Sequence, residues 1–226
     1  MRPILLALML SAACAPALRA QEQLLDEGTL LVTKDGLTLG RESFRIVRAA
    51  GTAGQVYRAT GQLSMGDRRV TTSLGVDSLG SPVLYDAEVR VNGTLDTHLH
   101  GTGRPERFST IMRTRHGESA RDYVLQANAL VLDREMFHQY YFVALPPDRP
   151  SFSVVEPLSG TQATFRFEAR GQESIRVGRT TVQARHVSLV GSDGATRDVW
   201  VAQDGRLLRV SIPAAGLIAQ RDDLGR

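Results

Sequence analysis

The sequence has a single cysteine in 226 residues, Cys14, and it lies in an N-terminal stretch unlike the rest of the chain. Within residues 1–20, Arg2 is followed by a short apolar run and then by small residues. This order predicts a secretory signal that is cleaved after Ala20 and is too short to span a bilayer as a helix. A mature chain starting at Gln21 would have no thiol, which excludes disulfides, thiol catalysis and thiolate metal ligands.

Cys14 also leaves a second hypothesis open for the N-terminus. The stretch 10–14 reads Leu-Ser-Ala-Ala-Cys and loosely resembles a lipobox, although Ser11 stands where that motif prefers leucine. Acyl chains attached to Cys14 would anchor the domain firmly to a membrane. We therefore expect a periplasmic or secreted protein, with a form that is lipid-anchored through Cys14 as the alternative.

Lysine is almost absent, since Lys34 is the only one and every other basic side chain apart from histidine is arginine. We attribute this to codon usage rather than to chemistry. Loss of Arg2 and Arg19 with the signal reduces 27 basic residues to 25, against 24 acidic ones. This balance argues against a nucleic-acid partner or a polybasic membrane surface. The mature chain also has no stretch that predicts a transmembrane helix.

Catalytic motifs are missing: the chain has no Gly-x-Ser-x-Gly turn and no phosphate-binding glycine loop. Asp96-x-His98-x-His100 is the one metal-like pattern, because a strand would place the three side chains on one face. We interpret the three residues as part of a charged outer face, since a hairpin register gives each a charged partner. The partners are Arg90, Glu88 and Asp86. We predict no catalytic residue, no metal and no cofactor.

Strict alternation of apolar and polar residues is the dominant signal after the N-terminus. Around Gly66-Asp67, a two-residue turn would place Leu63 opposite Val70 on one face, so the turn and the pattern agree. Around Asn92-Gly93, one extra loop residue is needed to pair apolar side chains. This register sets Val91 opposite Leu95 and Ala87 opposite Leu99.

A third hairpin is predicted at Asp204-Gly205, with Val201 opposite Leu208 and Val199 opposite Val210. Trp200 has the other parity and would lie opposite Arg209. We interpret this pair as a cross-strand cation–π contact, the alternative being an exposed aromatic side chain that binds a ligand or partner.

These patterns predict a mainly β protein: one long, strongly curved antiparallel sheet (a half-barrel) with a wet outer face, forming a single domain over residues 21–226. One segment departs from the alternation, Leu132–Leu145, where apolar residues recur at helical spacing. Asp133 would cap this helix and Pro146-Pro147 would end it. The aromatic content of the segment also fits a strand.

We expect this short helical segment to cover the concave face of the sheet, either as a permanent plug or, as we prefer, as a lid over an apolar ligand. Its stripe of large side chains needs an apolar docking surface, because an exported protein would otherwise risk aggregation. The candidate ligand-binding residues are Met136, Phe137, Tyr140 and Tyr141 on the segment (with Ala144 completing the stripe), and Tyr57, Tyr85 and Phe165 on the sheet.

The C-terminal stretch from Phe165 carries a resemblance to a known architecture. The segments Glu173–Gly178, Val199–Gly205 and Arg209–Pro213 resemble the closing hairpins of periplasmic half-β-barrel proteins, which include the outer-membrane lipoprotein carriers and related uncharacterised exported families. The resemblance covers about half of the mature chain and transfers no catalytic residue. It implies an apolar concave face that handles lipid or acyl chains.

Three functions follow as hypotheses. The first is a non-enzymatic, exported protein of the cell envelope that binds a lipid or another apolar ligand in its half-barrel. The second is a structural or assembly factor of the envelope, with a protein partner and a core filled by its own side chains. The third, a hydrolase or metal enzyme, has the least support from the residues.

Overall fold

A computed structural model describes residues 22–51, 54–125, 129–144 and 150–224. The predicted signal at 1–20, Cys14 and the last predicted helical residue, Leu145, lie outside these ranges. The described residues form fifteen strands and two short 3₁₀ helices, Phe137–Ala144 and Pro213–Ala215. The strands are β1 (Gln23–Lys34), β2 (Leu37–Gly51), β3 (Gly54–Met65), β4 (Arg68–Val76), β5 (Pro82–Val91), β6 (Thr94–Arg104), β7 (Arg107–Thr114), β8 (Gly117–Val124), β9 (Leu130–Val131), β10 (Ser151–Glu156), β11 (Thr161–Val177), β12 (Thr180–Gly191), β13 (Thr196–Ala202), β14 (Leu207–Ile212) and β15 (Leu217–Arg221).

All fifteen strands belong to one sheet, in the order β8-β7-β6-β5-β4-β3-β2-β1-β15-β14-β13-β12-β11-β10-β9. Every pairing is antiparallel except that of β9 with β10, which is parallel. The mainly β prediction is confirmed, and the sheet is mixed at this one pair. Strands β8 and β9 are its two edges, so the sheet is not closed into a barrel. Two side-chain hydrogen bonds link the edge strand β8 to residues at the start of β11. Arg121 donates to the Gly160 carbonyl, and Gln162 donates to the Val124 carbonyl at 2.7 Å.

The predicted register of the Gly66-Asp67 hairpin is confirmed, with Leu63 opposite Val70 and Tyr57 opposite Val76. Its inward side chains are buried in the main core, because the two-residue turn keeps the apolar residues of both strands on one face.

The Asn92-Gly93 hairpin is predicted correctly only away from its turn. Ala87 lies opposite Leu99, but Val91 lies opposite Thr94 and not Leu95. Asn92 and Gly93 have φ angles of 52° and 78°, as a tight two-residue turn requires, because such turns match the twist of the strands. The extra residue is therefore accommodated as a bulge at Asp96 within β6 instead of in the loop.

The bulge changes the charge partners predicted around Asp96. Arg90 pairs with Glu88 at 3.0 Å, and Asp96 lies 3.8 Å from Arg115. The predicted Asp86–His100 contact is present, with the His100 Nδ1 2.7 Å from a carboxylate oxygen. Among the described residues, no group of three or more histidine, cysteine or acidic side chains is arranged to hold a metal ion.

The Asp204-Gly205 hairpin is also correct in part. Val199 lies opposite Val210 and Trp200 opposite Arg209, whose guanidinium carbon is 5.4 Å from the centre of the indole ring. A bulge follows, so that Val201 pairs with Leu207 and Leu208 points to the other face. There Leu208 is buried in a small second core, so the prediction of a solvent-exposed outer face is wrong at this position. This second core consists of Ile175, Val177, Ala184, Ala202 and Leu208.

The predicted helical segment is confirmed as helical over a shorter range and with a tighter geometry. It is a 3₁₀ helix that begins at Phe137, and Asp133 precedes it by a turn instead of capping it. Every side chain from Phe137 to Val143 is buried, including His138 and Gln139, so this part of the helix has no solvent-exposed face. The predicted apolar stripe therefore accounts for only part of the buried surface of the helix, because side chains on every face of it are buried with the main core.

The two halves of the sheet meet where β1 pairs with β15, and a buried ion pair lies at this junction. Asp26 and Arg221 have side chains that are 0% and 1% exposed, with Nη2 and Oδ1 2.8 Å apart. The same guanidinium donates to the Leu207 carbonyl at 3.0 Å, and the carboxylate accepts the Leu207 N–H at 2.9 Å. The pair thereby joins β1, β14 and β15.

We predict that Asp26→Ala lowers the free energy of unfolding by about 3 kcal/mol, because it removes the fully buried partner of Arg221 and leaves this buried charge with the partly exposed Asp223 alone. Urea denaturation would measure the change. The control is Glu27→Ala, which removes the exposed partner of Arg45 and should cost at most about 1 kcal/mol. Equal losses in the two variants would contradict a special role for the buried pair.

Candidate functional site

The 3₁₀ helix is attached to β2 through one carboxylate. Glu42 is fully buried and accepts the N–H groups of Phe137 at 2.8 Å and of His138 at 3.1 Å, and it also contacts the His138 Nδ1. A carboxylate at the start of a helix satisfies amides that lack a partner within the helix. Gly61 of β3 leaves room for the His138 ring, since a Cβ there would collide with it. The His138 Nε2 is buried and has no hydrogen-bond partner among the described residues.

A second contact joins the turn before the helix to β5. The Tyr85 hydroxyl donates to one oxygen of Asp133, and the other oxygen accepts the Leu158 N–H at 3.0 Å. The side chain of Gln139 accepts the Asp133 N–H at 2.7 Å. Burial raises the pKa of the Asp133 carboxyl to about 7, although the hydrogen bonds from Tyr85 and Leu158 lower it.

A third contact joins the helix to β13. Arg197, 8% exposed, donates to the Tyr140 hydroxyl at 3.0 Å and forms an ion pair with Glu156. Its guanidinium carbon lies 4.7 Å from the centre of the Phe165 ring. Burial raises the pKa of Glu156, but Arg197, a hydrogen bond from Thr161 at 3.0 Å and the charge of Arg134 outweigh it, so the pKa is lowered. The Arg134 Nε donates to Glu156 at 2.9 Å. The segment is thus held by β2, β5 and β13.

The structure places the predicted ligand-binding residues in or against one core. Six are buried there, and Tyr57 is half-buried and contacts Phe142 edge to face. Their large side chains fill space between the helix and the sheet. Ligand binding by these residues stays a prediction. The six buried residues are Tyr85, Met136, Phe137, Tyr140, Tyr141 and Phe165.

An open pocket of about 530 Å³ lies at the end of the sheet where the 3₁₀ helix begins. We call it the end pocket. Its lining includes three almost fully buried apolar side chains, those of Val32, Leu63 and Phe137. Around them are the half-buried or exposed Leu39, Met65 and Leu217, the turn 213–216, and the charged Lys34, Asp35 and Glu135. The volume is that of a small-molecule site, and most of the lining is apolar.

A second pocket of about 310 Å³ adjoins the end pocket. We call it the side pocket. Both pockets are lined by Ala214 and Ala215 of the short 3₁₀ turn, which has no buried residue. Four charged residues line the side pocket: Arg134, Glu156, Asp193 and Arg197. Phe165 is the one predicted ligand-binding residue in its lining.

A third pocket, of about 360 Å³, lies at the other end of the 3₁₀ helix beside Tyr141 and Ala144. Polar and apolar side chains share its lining, with Gln172, Arg185 and Gln203 beside Val201 and Ala202.

Sequence reasoning missed Glu42 and most of the end pocket. Glu42 had a detectable signal, because it shares the alternation of Phe44 and Ile46 and is thus a charge on an apolar face. Lys34 and the turn 213–216 had no comparable signal. They reach the pocket only because β1 pairs with β15, and that pairing joins the two ends of the chain.

Comparison with known proteins supports the fold and no more. No family model and no curated protein matches the chain. A crystal structure of a β-barrel-like protein of a domain of unknown function, DUF1849, from Brucella abortus is similar, with a TM-score of 0.54 and 12% identity over 87% of this chain and 94% of that chain. At this identity the likeness shows a β-barrel-like fold alone. The resemblance to lipoprotein carriers stays a prediction.

Within the described ranges, no helix has the length and apolar character needed to cross a membrane.

We predict that Asp133→Asn changes the pH dependence of stability. Because the folded-state pKa of about 7 lies above the ordinary value of 3.8, the folded protein holds this proton more tightly, so the contribution of Asp133 falls as pH rises between these values. The slope from this group alone is about 1.4 kcal/mol per pH unit, and it vanishes above about pH 8. Urea denaturation from pH 5 to 8 should show a shallower decline in the variant.

The control for this experiment is Asp122→Asn, which changes an exposed carboxylate on β8. Its slope should match that of the unmodified protein. If Asp133→Asn also leaves the slope unchanged, the Asp133 carboxylate does not titrate in this range.

Proposed function

We propose that this chain is a non-enzymatic, exported protein of the cell envelope that binds a lipid or another apolar ligand, and that the ligand lies in the end pocket. The observation that carries this proposal is an open pocket with a buried apolar floor of Val32, Leu63 and Phe137. Export is supported by the sequence of residues 1–20. The two observations together favour a carrier or binding protein over an enzyme.

The hydrophobic effect supplies the driving force for such binding. Each square ångström of apolar surface removed from water contributes about 25 cal/mol, so an acyl chain would gain by covering the exposed parts of Leu39, Met65 and Leu217. The floor residues are already buried and add only van der Waals contact. Lys34, Asp35 and Glu135 also line this pocket, so part of its surface is charged.

The 3₁₀ helix, in this proposal, is a permanent plug on the concave face of a half-barrel. Three contacts support a plug over the lid that sequence reasoning preferred: Glu42 to the first amides, Tyr85 to Asp133, and Arg197 to Tyr140. Opening would leave buried polar groups without partners, which costs about 1–3 kcal/mol for each neutral group and more for charged ones. The ligand therefore binds beside the start of the helix and does not replace it.

The self-filled interior also favours a second candidate, a structural or assembly factor of the envelope. In that case the end pocket would hold no lipid and the core would serve only stability. Extraction of the purified protein with organic solvent distinguishes the two, because a binding protein retains some lipid while an assembly factor yields none.

We predict that Leu39→Asp weakens binding of a fluorescent fatty-acid probe at least several-fold, because it places a charge in the apolar lining. Leu39 is 39% exposed, so the variant should remain folded. Leu84→Asp is the matched control, since Leu84 is 41% exposed and does not line the pocket. Equal affinity in the two variants, or no binding to the unmodified protein, would contradict the proposal.

We predict that Tyr140→Ala lowers the free energy of unfolding by about 3–5 kcal/mol, because it empties a fully buried aromatic position. If the helix is a plug, the fraction of molecules that remains folded should bind the probe with unchanged affinity. Tyr140→Phe, which keeps the ring and removes the hydroxyl bonded to Arg197, should lose less stability. A loss of probe affinity in folded Tyr140→Ala would support a lid instead.

A further inference from the structure

We propose that the ligand is a single-chain amphiphile with a zwitterionic head group, whose acyl chain occupies the end pocket and whose head group occupies the side pocket. This inference rests on the proposed function. It adds the chemical class of the ligand and assigns a role to the side pocket. Its basis is the position of the two pockets and the charges of their lining residues.

The geometry allows one ligand to enter both pockets. Ala214 and Ala215 line both of them and belong to a turn that has no buried residue. Two consecutive residues also lie at both pockets, because Arg134 lines the side pocket and Glu135 lines the end pocket. An amphiphile lying across the turn would place its tail against Leu39, Met65 and Leu217 and its head group near the charged side chains of the side pocket. The end pocket provides one apolar space, so a single acyl chain is the match.

The charges of the end pocket argue against an anionic head group there. Lys34 is its only cation, beside the two carboxylates of Asp35 and Glu135. Glu135 is itself engaged with Arg68 in an ion pair. A lone carboxylate or phosphate at this end would thus meet at least as much negative as positive charge.

The side pocket offers one accessible charge of each sign. The buried Glu156 pairs with both Arg197 and Arg134, so the lining has two positive and two negative charges, and those of Arg134 and Asp193 are the exposed ones. The Arg134 side chain is 63% exposed. One cation and one anion at the same pocket match a head group that carries a phosphate and an ammonium.

Both exposed groups are already oriented. The Arg134 Nε donates to Glu156 at 2.9 Å, while no hydrogen bond from its two terminal nitrogens to another described residue is present. These two nitrogens form the fork that binds phosphate oxygens in a bidentate way. The Asp193 Oδ1 accepts the Ala195 N–H at 3.0 Å, which fixes the carboxylate in its turn. Arg134 therefore binds the phosphate and Asp193 the ammonium.

The test is displacement of the fluorescent fatty-acid probe by lipids that share one acyl chain and differ only in the head group. The probes are palmitoyl lysophosphatidylethanolamine, palmitoyl lysophosphatidylglycerol and palmitate, each below its micelle concentration. The unmodified protein should bind the ethanolamine lipid several-fold more tightly than the glycerol lipid. Arg134→Gln should weaken binding of both lysophospholipids and leave palmitate unchanged. Asp193→Asn should remove the preference for ethanolamine.

Two matched controls exclude general effects of charge. Arg166→Gln changes an arginine whose side chain is 65% exposed and also pairs with a glutamate, and Asp204→Asn changes a turn aspartate that accepts a backbone N–H. Both should keep the preference. If the probe binds but the head groups do not differ, or if Arg134→Gln and Asp193→Asn change nothing, the head-group assignment is wrong while the proposed function stands. If no probe binds, both are wrong.

Discussion

The fold depends on burying, against one sheet, a helical segment that has no solvent-exposed face. Water cannot reach the amides and polar side chains of residues 137–143, so partners for them must come from the protein. Glu42 accepts the Phe137 N–H, the Tyr85 hydroxyl accepts from the Gln139 side chain at 3.3 Å, and Arg197 donates to the Tyr140 hydroxyl. These three partners lie on β2, β5 and β13. Because these strands lie on both sides of the β1–β15 junction, the helix couples the two halves of the sheet. The buried Asp26–Arg221 pair then holds the junction itself.

Alternation predicted which residues of the hairpins point inward, but it could not locate the bulges. At Asn92-Gly93 and Asp204-Gly205 the pairs two or more residues from the irregularity are correct, including Ala87–Leu99 and Val199–Val210. A bulge moves one residue without changing the composition of either strand, so the periodic signal is almost unaffected. The helix could be predicted as helical, yet its burial on all sides could not, because that depends on strands far away in sequence.

The candidate site shows the same limit more strongly. Sequence reasoning selected aromatic residues, and these are mostly fully buried; Tyr140, for instance, is 0% exposed. Phe137 and Phe165 line pockets, but most of the other lining residues of the end and side pockets are aliphatic, small or charged, such as Leu39, Ala215 and Arg134. They come together only when β15 pairs with β1 and the turn 213–216 meets the start of the helix. At 12% identity, the similar structure from Brucella abortus shares the fold and cannot identify such residues.

The residues that hold the helix and those proposed to bind a ligand are largely different. The groups that hold the helix, among them Glu42 and Asp133, are buried and form hydrogen bonds with backbone and side-chain groups of the protein. Leu39 and Asp193 are exposed and their substitution should alter affinity with little loss of stability, whereas the exposed Arg134 also donates to the buried Glu156. Phe137 and Arg197 belong to both sets, because Phe137 lines the end pocket at the helix start and Arg197 lines the side pocket while it donates to Tyr140. A ligand in the end pocket would therefore contact the very residue whose amide Glu42 holds, and its binding would add stability to the plug rather than release it.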